Sequence, residues 1–68
     1  MIRCHLSKIM GIHKLKIADV SRETGLNRST VTALYNETAT RVDLETIEKL
    51  CKLFKCPIGD LLELVNED

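Results

Sequence analysis

Sixty-eight residues allow one small domain, expected to span residues 1–68, that buries only about 60% of its unfolded surface, which leaves no room for a deep, supported catalytic pocket. An apolar fraction of 44% without any Gly-, Ser-, Pro- or Gln-rich tract excludes a disordered chain, and an aromatic share of 3%, from Tyr35 and Phe54, removes the stacking platforms of RNA and single-strand readers. The formal net charge of +0 hides a split: residues 1–42 hold seven bases against three acids, and residues 43–68 hold three bases against seven acids. One half suits phosphate and the other repels it.

No apolar run approaches the roughly 20 residues needed to cross a bilayer, and the first ten residues lack the apolar core of a signal peptide. No membrane contact and a cytoplasmic location are expected. Cys4, Cys51 and Cys56 are an odd set, which predicts reduced thiols rather than a disulfide framework.

Along the chain, Leu6, Ile9 and Met10 recur at helical spacing and predict a first helix from Leu6 to about His13, with Gly11 in its fraying end. A second helix starts near Lys16, with Ile17, Val20 and Ser21 on one side and Asp19, Arg22 and Glu23 on the other, and it stops at Gly25. Glycine supplies the positive φ of a tight exit, and Leu26 folds back onto the core. Asn27 is the expected cap of a third helix, about 28–36, whose Val31, Leu34 and Tyr35 share a face. Residues 36–42 read as a polar loop. Asp43 is expected to cap a fourth helix bearing the apolar stripe Leu44, Ile47, Leu50, Cys51 and Phe54. Pro57 suits the first turn of a short fifth helix in which Ile58, Leu61 and Leu62 close the core, with Cys56 in the linker before it. Residues 1–5 and 64–68 fit frayed ends and a pair of short strands equally well.

The stretch 17–36 has a mechanical meaning. Small Ser21 lets two helices approach and Gly25 makes the turn. Val20, Leu26, Val31 and Leu34 point inward, locking the second helix across the third at a steep angle. The third helix then projects Arg28, Ser29, Thr32 and Ala33, with Asn36 beyond, all small or hydrogen-bonding residues that suit base edges in a major groove. A plain helical hairpin is the competing explanation for a glycine between two periodic segments.

This arrangement resembles the phage-repressor and Cro (Xre-type) family of helix-turn-helix proteins over essentially the whole chain, and the Gly25 region and the Leu34-Tyr35-Asn36 ending carry the resemblance best. It implies an all-α, five-helix, lambda-repressor-like DNA-binding domain. It also implies base reading by Arg28, Ser29, Thr32 and Ala33, and phosphate contact at or beside Lys16, Asn27, Asn36, Thr38, Thr40 and Arg41. The chain departs from the family pattern at Ser21, where Ala is common, and at Glu37, where Gly is usual. The helix exit must therefore be built differently, with a carboxylate near the phosphates. Few bases surround the motif, so weak non-specific affinity is expected.

Cys4, His5, Cys51 and Cys56 lack any Cys-x-x-Cys or His-x-x-x-His spacing, so no metal is expected; His13 reads as solvated and Cys51 as a small buried hydrophobe. No glycine-rich loop follows a strand, so Lys14 and Lys16 do not make a nucleotide site, and no cofactor is implied. Asp19 and Glu23, four apart beside Arg22, read as a solvated face rather than an acid pair, and no catalytic triad stands out. The expected function is sequence-specific double-stranded DNA binding by a bacterial or phage-type transcriptional regulator, acting as a homodimer with Ile2, Leu64 and Val65 as candidate contacts. The alternative is a protein-binding module of the same fold, an antitoxin or adaptor, that meets its partner through residues 43–68.

Overall fold

Helical periodicity becomes a core once each stripe finds its neighbours. The computed structural model describes residues 1–66, in the order β1 (Ile2–Cys4), α1 (Leu6–His13), α2 (Ile17–Thr24), α3 (Arg28–Tyr35), α4 (Leu44–Phe54), α5 (Ile58–Leu61) and β2 (Leu62–Leu64). Every helix sends side chains to one centre: Leu6, Ile9 and Met10 from α1, Val20 from α2, Val31 and Leu34 from α3, Ile47, Leu50 and Phe54 from α4, and Leu61 from α5. Burying such a side chain stabilises the fold by about 1.5–3 kcal/mol, which offsets the ordering entropy of a small chain only when all helices contribute. The expected five helices are present among the described residues, joined by a short two-stranded sheet.

The ends do pair as strands among the described residues, but β2 meets the expected segment 64–68 only at Leu64, and Leu62 stands in this strand rather than in the fifth helix. β1 and β2 pair antiparallel with Ile2 opposite Leu64, Arg3 opposite Glu63 and Cys4 opposite Leu62. The Val65 N–H donates to the Met1 carbonyl (2.8 Å) and the His5 N–H to the Leu61 carbonyl (2.8 Å), extending the ladder at both ends. Because the inward amides alternate, the Cys4 N–H points away from β2. Glu67 and Asp68, at the end of the second terminal segment, lie outside the described residues.

Several expectations need correction. Leu44 is 84% exposed although it lies on the α4 stripe, because it opens the first turn and overhangs the core; Thr46 is buried in its stead. Ile58 is 55% exposed and does not close the core, since a four-residue helix turns only Leu61 fully inward. Pro57 stands one residue before α5 rather than inside its first turn. Asn27 and Asp43 occupy the cap positions of α3 and α4 with extended backbone, but neither side chain bonds to its helix. Gly11 is a helical residue of α1 rather than a frayed end, and the helix closes on Lys14 in the left-handed conformation. His13 is exposed, yet its ring lies 5.1 Å from that of Phe54, so it is not simply solvated. Cys51 is half-buried and packs against the core rather than within it.

Candidate nucleic-acid interface

The turn between α2 and α3 is held by side chains as well as by glycine. Gly25 takes φ +77° and its N–H donates to the Ser21 carbonyl (2.8 Å). The Ser21 hydroxyl donates to the Leu26 carbonyl (2.5 Å), while the Thr24 hydroxyl donates to the Val20 carbonyl (2.6 Å) and accepts the Leu26 N–H (3.2 Å). Ser21 therefore does more than stay small: its hydroxyl serves a carbonyl that leaves the helix. Helical periodicity does not single out Thr24; only the general tendency of threonine hydroxyls to bond nearby backbone groups points to it.

This turn sets the exposed side of α3. Asn27, Arg28, Ser29 and Asn36 are exposed, and Thr32 and Ala33 are half-buried. Arg28, Thr32 and Asn36 follow at intervals of four and form one ridge along the helix. Ser29 and Ala33 form the adjacent row and line a shallow groove of about 320 Å³ with Arg41, Val42 and Thr46. Among the described residues Arg28 and Arg41 enter no ion pair, so both guanidinium groups are uncommitted.

Other expected contacts are partly engaged within the protein. At the start of α2 the Lys16 N–H donates to Asp19 Oδ2 (2.9 Å), and Arg22 Nη2 lies 3.0 Å from Asp19 Oδ1. The Lys16 backbone bond, then Arg22, holds the Asp19 carboxyl below the usual carboxylate range. A carboxylate thus already occupies the positive end of α2, a competitor for phosphate that the periodicity did not reveal. The Thr38 N–H donates to the Ala33 carbonyl (2.9 Å) and the Thr38 hydroxyl reaches the same oxygen (3.4 Å), folding the loop back onto the end of α3. Thr40 and Arg41 are exposed on that loop.

Glu37 resolves the unusual helix exit. It adopts φ +57°, the conformation that glycine would take without a steric cost. Its carboxylate turns to β1, where Arg3 donates through Nε to Oε1 (2.7 Å) and through Nη2 to Oε2 (2.9 Å), and the Cys4 N–H donates to Oε1 (3.0 Å). The Arg3 hydrogen bonds, followed by the Cys4 N–H, hold the Glu37 carboxyl well below the usual range, at about 2. The Glu37 carboxylate, which the sequence places after Asn36, is matched by a guanidinium from β1.

Comparison with known proteins identifies the family. The model of the Cro/C1-type HTH DNA-binding domain matches residues 5–67. The chain is also similar to an uncharacterized HTH-type transcriptional regulator, YozG of Bacillus subtilis (strain 168), at 25% identity over 64 residues, which covers 94% of this chain and 76% of that protein. With a five-helix core, a glycine turn between α2 and α3 and a family match across nearly its whole length, the chain belongs to the Cro/C1-type helix-turn-helix DNA-binding domain family.

Proposed function

We propose that this protein is a sequence-specific transcriptional regulator that binds double-stranded DNA with α3 in the major groove. The observation that carries the reading is the ridge of Arg28, Thr32 and Asn36, exposed or half-exposed on a helix whose opposite face is locked by Val31 and Leu34. Arg28, Ser29, Thr32 and Ala33 read base edges. Lys16, Asn27, Asn36, Thr38, Thr40 and Arg41 contact or adjoin phosphates. Arginine in the first turn of a recognition helix suits bidentate contact with guanine O6 and N7, and small Ala33 suits a thymine methyl. The similarity to an HTH-type transcriptional regulator supports regulation as the purpose of binding.

The 68 residues act as one binding domain, and two copies act together. Ile2 (61% exposed) and Leu64 (77% exposed) face each other across the sheet, an apolar pair that a second copy would cover. A two-fold dimer places recognition helices about 34 Å apart, matching half-sites one helical turn apart. Leu64→Asp is expected to yield a monomer in analytical ultracentrifugation and to lose palindrome preference.

The rival reading, an adaptor or antitoxin binding protein through residues 43–68, draws on exposed Leu44 and Ile58. Against a broad acidic docking face, Glu45 pairs with Lys49 (3.4 Å) and Glu48 with Lys52 (2.9 Å) along α4. Selection from a random duplex pool tests both readings. Enrichment of one motif, relaxed by Arg28→Ala or Thr32→Ala, supports the DNA reader; no enrichment at any salt concentration overturns it.

A further inference from the structure

The recognition helix ends on a residue that a steric argument alone would make glycine. Glu37 holds a left-handed backbone, and its side chain spans 34 positions of sequence to reach Arg3. Three donors converge on its two oxygens: Arg3 Nε, Arg3 Nη2 and the Cys4 N–H. The two parallel Arg3 bonds form the planar, bidentate match between guanidinium and carboxylate, the strongest geometry open to an exposed pair.

Position makes the pair consequential. Glu37 stands between Asn36 and Thr38, and Thr40 and Arg41 follow on the same exposed loop. An unpaired carboxylate there would oppose every phosphate the loop approaches, because few bases are available nearby to outweigh it. The donor that cancels it arrives from β1, which is itself held in register by β2. The Cys4 N–H points to Glu37 because the alternation of the ladder turns it away from β2, so one carboxylate bridges the sheet and the helix exit.

We propose that Arg3 is a positioning residue for DNA binding: acting through Glu37 rather than by touching DNA, it cancels the carboxylate charge beside the 36–41 loop. This rests on the DNA-binding reading above. It also assigns the terminal sheet a part in recognition, since displacing β1 would expose a negative charge at the end of α3.

A double-mutant cycle tests it, using the full chain and the duplex recovered by selection, with thermal melts confirming that each variant is folded. Arg3→Gln leaves Glu37 unpaired, and its affinity is expected to fall about fivefold to tenfold, most strongly at low salt. Glu37→Gln removes the charge, and its affinity is expected to match or exceed that of the wild type. Arg3→Gln combined with Glu37→Gln is expected to bind within about twofold of the wild type, because the loss at position 3 depends on the charge at position 37. If the double variant binds as weakly as Arg3→Gln alone, Arg3 contacts DNA itself and the proposal is overturned. If Glu37→Gln alone weakens binding as much as Arg3→Gln, the pair is only a structural tie and the proposal is likewise overturned. A wild-type protein that binds no duplex instead removes the DNA reading on which the proposal stands.

Discussion

The hydroxyl of Ser21 donates to the carbonyl of Leu26 at 2.5 Å, across the turn that joins α2 to α3. A helix interior and the chain that leaves it are thereby bonded directly, in a half-buried site where water competes weakly. Ser21→Ala is expected to lower stability by about 0.5–1 kcal/mol, the loss of one net hydrogen bond partly offset by the better helix propensity of alanine. Urea denaturation at constant m-value measures it. A gain in stability would mean that the bond contributes nothing beyond size.

Two glycines separate conformational from steric effects. At both Gly25 and Gly11 an added Cβ meets nothing within 4 Å. Gly25→Ala is nevertheless expected to cost about 1–2 kcal/mol, because φ is +77° there and only glycine is unstrained. Gly11→Ala, within α1, is expected to stabilise by about 0.5–1 kcal/mol through helix propensity and reduced unfolded-state entropy. Opposite shifts in Tm for these two substitutions are the expected outcome.

On DNA, base contacts and phosphate contacts are expected to respond differently. Arg28→Ala and Thr32→Ala should each cost about 1–3 kcal/mol on the selected site and relax the preference at one base position. Arg41→Ala should weaken all duplexes alike and reduce the slope of log K against log salt by about 1. For the wild type, about 4–6 neutralised phosphates per protomer give a slope of about −4 to −5. A flat salt profile in fluorescence anisotropy would contradict phosphate engagement.

Acid should reveal the Glu37 pair. Its carboxyl is lowered from 4.5 to about 2 in the folded chain, chiefly by Arg3, so the folded state holds fewer protons at this site than the unfolded state in that interval. The stabilisation is therefore fully present above the ordinary carboxylate range and is lost as pH falls from about 4.5 towards 2. Thermal melts from pH 6 to pH 2 should show the wild type and Glu37→Gln converging at the acid end. A constant difference between them would contradict the linkage.

Burial, as the largest cause, pushes the thiols of Cys4 and Cys56 above the ordinary cysteine value, so little thiolate exists at neutral pH. Alkylation by iodoacetamide is expected to be slow in the folded protein at both positions and to accelerate on unfolding in urea. Peptide mass mapping over time checks each site separately.

Helix positions were legible because their cause is local. The spacing of Leu6, Ile9 and Met10, and of Ile47, Leu50 and Phe54, is the same helical period that the fold buries. The turn at Gly25 was legible for a similar reason, since a left-handed exit strongly selects glycine. The same logic misled at Leu44, whose place on a periodic stripe says nothing about whether another element reaches that far along the helix.

The sequence by itself determined the helices, the turn and the side of α3 that faces outward, because residues a few positions apart share a helix face whatever surrounds them. Only the tertiary structure decided that the ends pair as strands and that Arg3 neutralises Glu37 across 34 positions of chain. Charge cancellation depends on distance in space, and a linear charge count contains none. The carboxylate that looked opposed to DNA binding in the sequence is, in the fold, already matched.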